Sequence, residues 1–145
     1  YRSLILNTQF TPLVSIVIPT YNHAKFISKA LKSVIDQTYK NWEAIIIDNE
    51  SVDETCKLIN NFNDPRIKYF KITNEGVIAK SRNLGIKEAK GDWVAFLDSD
   101  DWWTKDKLEV CFSKISKNVD FIYHRHEYVD KSKFFLKKKL LKVVN

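Results

Sequence analysis

A chain of 145 residues, 44% hydrophobic and 29% charged, is long enough for one hydrophobic core and has the balance of an ordinary globular domain. No apolar run approaches the ~18 residues that a membrane-spanning helix needs, and the opening Tyr1-Arg2-Ser3-Leu4-Ile5-Leu6 is too short an apolar stretch for a secretory signal. The net charge of +6 sits at one end: six lysines and no acid lie between 131 and 145, leaving 18 basic against 18 acidic residues in 1–130, so no nucleic-acid partner is expected.

Cys56 and Cys111 have no paired spacing and read as free thiols of a reducing compartment. Methionine is absent, and the chain is expected to be a piece of something longer.

Val14-Ser15-Ile16-Val17-Ile18 predicts a first strand ended by Pro19, with a turn at Thr20-Tyr21-Asn22-His23 in which Asn22 is an N-cap. Ala24 to Gln37 carries apolar residues at helical spacing (Ile27, Leu31, Ile35 and Phe26, Ala30, Val34). A second strand, Glu43 to Asp48, is apolar without alternation and ends in an acid. Ser51 or Asp53 is expected to cap a helix through about Phe62, which Asp64-Pro65 breaks. Arg66 to Ile72 alternates more and predicts a strand near a sheet edge. A helix from about Val77 to Lys90 follows, then the run Val94-Ala95-Phe96-Leu97, expected to be a strand buried on both faces. Thr104 to Ser116 predicts a fourth helix and Val119 to Tyr123 a fifth strand, continuing toward Tyr128.

This alternation points to a doubly wound, mainly parallel α/β sheet flanked by helices over 1–130, with 131–145 as a basic amphipathic tail or the start of a further half. Gly76, Gly85 and Gly91 fit neither a dinucleotide fingerprint nor a P-loop.

The chemistry concentrates after the fourth strand, where Asp98, Asp100 and Asp101 arrive at its carboxyl end, the place where open α/β sheets bind ligands. Asp98 and Asp100 are two apart and point the same way if the chain is extended. Like charges so placed suit a hard cation such as Mg2+ or Mn2+, which completes its shell with substrate phosphate and water. The plain alternative is a solvated loop in which Asp101 or Thr104 caps the next helix. Two other groups compete for attention. His124 and His126 share a strand face but lack an evident third ligand. Of Trp93, Trp102 and Trp103, the first reads as core, and one of the adjacent pair could border a ligand.

Val14-Ser15-Ile16-Val17-Ile18-Pro19-Thr20-Tyr21-Asn22, Ile47-Asp48-Asn49-Glu50-Ser51, Asn74-Glu75-Gly76 through Ser81-Arg82-Asn83, and Phe96-Leu97-Asp98-Ser99-Asp100-Asp101 together resemble the family 2 glycosyltransferases, over residues 13 to 128. The resemblance implies the GT-A fold, a Rossmann-like nucleotide-binding half followed by an acceptor-binding half. It implies metal-assisted transfer, with inversion, from a nucleotide-diphosphate donor, a UDP-sugar, to a saccharide or lipid-linked acceptor. By the same resemblance Thr20, Tyr21 and Asn22 line the base pocket and Asp48 pairs with the edge of a uracil ring. Arg82 lies near base and phosphates, Asp98 and Ser99 contact the donor, and Asp98 and Asp100 hold Mn2+ or Mg2+.

The pattern departs from the family at three places. Asp48-Asn49-Glu50-Ser51 stands where Asp-Asp-Gly-Ser is frequent, Ser81 where alanine is usual with Arg82 one residue further on, and nothing in 131–145 resembles the family's acceptor-binding half. The catalytic base is therefore expected beyond Asp130, and the chain is expected to be truncated before the acceptor half. A non-catalytic nucleotide-sugar-binding module or scaffold subunit is the alternative. A receiver-type phosphoacceptor is disfavoured, because the first turn carries no acid. The expected location is cytoplasmic, with the lysine-rich tail, interspersed with Phe134, Phe135, Leu136, Leu140 and Leu141, suited to an anionic membrane face. A solvated helix is the equal alternative for that tail.

Overall fold

The computed structural model describes residues 11–115 and 119–123, together with the backbone of 142–143. Four parallel strands, β1 (Val14–Thr20), β2 (Trp42–Asp48), β3 (Ile67–Lys71) and β4 (Trp93–Phe96), form a sheet in the order β3-β2-β1-β4. Between them run α1 (Ile27–Ile35), α2 (Thr55–Asn60) and α3 (Ile78–Glu88), and α4 (Lys107–Phe112) follows β4.

The two inner strands are buried at every position, as continuous apolar runs covered on both faces must be. Ile16 and Ile18 of β1 join Ala44 and Ile46 of β2 in one core with Ile27, Leu31 and Val34 of α1, Ile59 of α2 and Leu108 of α4. Alternate residues point to the other face, where α3 covers β1 and β2. There Gly85 lets the α3 backbone rest on Val17, since a Cβ at 85 would fall 2.2 Å from Val17 Cγ1. Helices on both faces make the sheet doubly wound. The chain steps outward from β1 to β3, and α3 then carries it back to β4 on the far side of β1. The winding direction reverses between β1 and β4, which opens a crevice beyond their carboxyl ends.

Several expected boundaries shift, each for a local reason. Pro19 does not end β1, which pairs in register with β2 as far as Thr20 and Asp48. The Val17 carbonyl accepts from Leu97 on the β4 side, and the Thr20 carbonyl accepts from Asn49 on the β2 side. Strand alternation then turns the missing N–H of Pro19 toward β4, whose ladder has already ended, so no bond is lost. Asn22 is not an N-cap: it sits at φ 51°, and α1 begins only after Phe26. The N-cap position of α4 falls to Asp106, and not to Asp101 or Thr104. Asp53 behaves more as expected. Its carboxylate accepts from Thr55 N at the start of α2 and from Ala24 N across the gap to the first loop, both at 3.0 Å.

The expectation that β4 is buried on both faces is wrong. Val94 and Phe96 are 37% and 45% exposed, because α3 lies over β1 and β2 and leaves that face of β4 open among the described residues. β3 lies at the opposite edge, where its alternation placed it. The fifth strand does not join this sheet: β5 (Ile122–Tyr123) pairs antiparallel with β6 (Lys142–Val143). His124, His126, the continuation to Tyr128 and the rest of the lysine-rich segment lie outside the described residues. Among the described residues no helix is long and apolar enough to cross a membrane.

Candidate functional site

At the reversal point lies a cleft of about 410 Å³, lined by Pro19, Thr20, Tyr21 and His23 after β1 and Asn49 after β2. Asn74, Gly76, Ile78 and Ser81 line it around the start of α3, and Asp98, Ser99 and Asp100 close it after β4.

The first wall is held by a reciprocal clamp between two loops. Asn22 N donates to Ser51 Oγ at 2.8 Å, and Asn22 Oδ1 accepts from Val52 N at 2.9 Å. Asn22 itself does not reach the cleft. Its left-handed backbone, which asparagine tolerates better than most residues, turns the chain so that Thr20 and Tyr21 do. Tyr21 is 54% exposed. Thr20 Oγ1 is buried without a hydrogen-bond partner. A hydroxyl left unpaired in this way costs about 1–3 kcal/mol, so it is a natural partner for a polar ligand atom.

Asp48 is fully buried and does not line the cleft. Its Oδ1 accepts from Ser51 N at 3.0 Å and Ser51 Oγ at 2.5 Å, and its Oδ2 accepts from Tyr69 Oη at 2.5 Å. Burial, followed by the bond to Asp48, pushes the Tyr69 phenol far above its ordinary value. Asn49 lines the cleft in its place, with Oδ1 accepting from Asn74 N at 2.7 Å. The signal was present in the strand period. Ala44 and Ile46 face the α1 side, so Asp48 continues that inward row and the next residue faces out of it.

Glu75 at φ 55° and Gly76 at φ 77° bend the chain into α3. Asn74 Oδ1 accepts from Gly76 N at 2.9 Å, and Asn74 Nδ2 donates to Ser81 Oγ at 2.8 Å. Ser81 thus has a structural task. Arg82 follows it on α3 and donates from Nη2 to Asp98 Oδ1 at 2.8 Å. On the same loop Ser99 Oγ and His23 Nδ1 share a hydrogen bond of 2.6 Å. Asp100 is exposed and lines the cleft.

Sequence reasoning missed His23, Asn49 and Asn74 as cleft residues. It had also allowed one tryptophan a place at the ligand, and neither of the pair lines the cleft. Trp102 stacks beneath the Lys29 ammonium, whereas Trp103, like Trp93, packs on the core.

Among the described residues no three His, Cys, Asp or Glu side chains gather into a metal cluster. Two carboxylates on one cleft, one of them already paired with Arg82, fit a hard divalent cation that takes most of its shell from phosphate and water.

The chain matches the model of glycosyl transferase family 2 over residues 15–143. It belongs to that family. Relatives include the UDP-Glc:alpha-D-GlcNAc-diphosphoundecaprenol beta-1,3-glucosyltransferase WfgD of Escherichia coli, 43% identical over 121 residues, which cover 81% of this chain and 47% of WfgD. WfaP of Escherichia coli, of the same described activity, is 39% identical over 119 residues, 82% of this chain and 47% of WfaP. The chain therefore spans about half the length of these relatives. Among solved structures, S. aureus TarS 1-349 in complex with UDP superposes with a TM-score of 0.66 at 33% identity, over 69% of this chain and 31% of that TarS 1-349 chain. The mannosyltransferase PcManGT of Pyrobaculum calidifontis, in complex with GDP-Man and Mn2+, superposes at 0.64 with 26% identity, over 69% of this chain and 31% of PcManGT. The helix-flanked parallel sheet is thus the GT-A architecture expected for the family.

Proposed function

We propose that this chain is the donor-binding part of an inverting, metal-assisted glycosyltransferase that moves a sugar from a UDP-sugar to a hydroxyl of a saccharide or lipid-linked acceptor. One observation carries the reading: the unpartnered Thr20 hydroxyl and the Asp98 and Asp100 carboxylates converge on one cleft at the reversal point of the sheet. In this arrangement Tyr21, Thr20 and Asn49 receive the nucleoside, a flat ring being able to stack on a base and an amide to bond its edge. Asp48 and Asn22 act behind them, fixing the loops. Asp98 and Asp100 would hold Mn2+ or Mg2+, which when bound stabilises charge on the diphosphate. Arg82 adds a fixed cation beside it, able to offset charge as the leaving group departs. The names of WfgD and WfaP and the UDP-bound TarS support uridine as the base.

Inverting displacement at an anomeric carbon also needs a base within hydrogen-bond reach of the acceptor hydroxyl. The carboxylates lining the cleft among the described residues are Asp98 and Asp100, both assigned to the donor. This favours a base beyond Asp130 and, as a second reading, a module that holds nucleotide sugar without turnover. A lipid-linked acceptor would bring the lysines of 131–142 to an anionic membrane surface.

The test is a calorimetric panel of UDP, GDP and CDP, each with Mn2+, Mg2+ or EDTA. Tightest binding is expected for UDP with a divalent cation, and failure of every nucleotide to bind under every condition overturns the reading. Transfer assayed beside a longer form of the protein then separates enzyme from binding module.

A further inference from the structure

The segment between β4 and α4 carries Asp98 and Asp100, yet it belongs to neither element. Its near end is held by the Arg82–Asp98 and His23–Ser99 contacts, at 2.8 and 2.6 Å. Its far end is held by the last turn of α1 and the residues just beyond. Gln37 is fully buried there. Its Nε2 donates to Ser33 O at 2.9 Å and to Thr104 O at 2.6 Å, and its Oε1 accepts from Leu108 N at 3.0 Å. Ser33 Oγ accepts from Trp103 N at 3.1 Å while donating to Ala30 O at 2.7 Å. Thr38 N donates to Lys105 O at 2.8 Å.

Both amide hydrogens of Gln37 are thus engaged, one on the last turn of α1 and one on the acid-bearing segment. A satisfied buried amide with no remaining donor has one orientation. Carboxylates that must receive a cation and a diphosphate gain from being held in place beforehand, since misplacement by about 1 Å can cost about a hundredfold in a reacting site.

From this geometry we propose that Gln37 is a positioning residue: it sets the segment that presents Asp98 and Asp100 and so controls how strongly the cation couples to nucleotide binding. The assignment rests on the donor-and-metal reading above. It places the control at the far side of α1, on a side chain that touches no ligand.

The test measures UDP affinity by calorimetry, with Mn2+ and with EDTA, for the wild type, Gln37→Met and Ser33→Ala. Gln37→Met is expected to cut the Mn2+-dependent gain in affinity by at least about fivefold, with affinity in EDTA unchanged within about twofold. Ser33→Ala, which removes the smaller tether to Trp103 N, should act in the same direction and more weakly. An unchanged gain in the folded variants overturns the proposal, as does an equal fall under both conditions, the mark of a merely structural role. Should Gln37→Met not fold, Ser33→Ala decides by the same criterion. A wild type with no Mn2+ gain overturns the donor-and-metal reading, and the assignment with it, whereas a wild-type gain untouched by the variants removes this assignment alone.

Discussion

Arg82 Nη2 lies 2.8 Å from Asp98 Oδ1, tying α3 to the loop that follows β4. Both side chains are partly exposed, at 36% and 47%, so solvent screens the pair and its share of folding stability is about 0–1 kcal/mol. Arg82→Ala should therefore barely move the melting temperature. If the guanidinium meets a diphosphate, the same change should weaken UDP by about tenfold, or about 1.4 kcal/mol, and uridine hardly at all. Calorimetry with both ligands checks this.

Asp100 is the more exposed of the two acids facing the cleft. Asp100→Asn removes a charge close to Asp98 and should leave stability within about 0.5 kcal/mol. The gain in UDP affinity on adding Mn2+ should fall by about tenfold or more, read as the ratio of dissociation constants with Mn2+ and with EDTA.

Tyr69 Oη donates to the buried Asp48. Tyr69→Phe leaves a carboxylate oxygen without its partner and should cost about 1–3 kcal/mol at neutral pH in urea titrations. The alkaline limb should change too. Burial and Asp48 raise the Tyr69 pKa in the folded state, so its contribution is complete below the unfolded phenol value of about 10 and is lost as pH rises above it. Tyr69→Phe should show a shallower loss of stability above about pH 10 than the wild type.

Gly85 has no room for a methyl group, because a Cβ would lie 2.2 Å from Val17 Cγ1 and 2.9 Å from Cγ2. Gly85→Ala should destabilise by about 1–3 kcal/mol through overpacking. Combined with Val17→Ala it should cost less than the sum of the two changes, since the methyl then enters space that the valine vacated. A double-mutant cycle in denaturant measures the coupling.

Lys107 carries a buried ammonium without a hydrogen-bond partner, above the Trp103 ring. Burial lowers its pKa to about 8, below the unfolded value of about 10.4. The sign follows from proton binding: between those values the unfolded chain holds the proton and the folded chain does not, so stability falls as pH drops from about 10.4 toward 8. Lys107→Met should raise the melting temperature at pH 7, with an advantage that shrinks above pH 8. Thermal melts across that range check the trend.

Much of the site was legible because ligand chemistry in an α/β sheet gathers at strand ends. The acids at 98 and 100 and the Thr20-Tyr21 turn line one cleft, and Arg82 pairs with Asp98 beside it. Asp48 lies behind the cleft wall and not on it, because a motif lists residues in line, whereas a strand sends alternate residues to opposite faces. Once Ala44 and Ile46 are known to face α1, Asp48 must point inward and the outward position falls to Asn49. His23 escaped notice because its task is a contact with Ser99, 76 positions away.

Local pattern by itself determined the alternation of strands and helices, the parallel sheet and the cluster of acids after β4, since burial period and turn chemistry act over a few residues. Only the tertiary structure decided which residues face the cleft, that β4 has an open face among the described residues, and that Gln37 and Ser33 brace the acid-bearing segment. Those outcomes depend on where α3 settles over the sheet and on hydrogen bonds between residues about 70 positions apart. No short window of sequence contains both partners of such a bond.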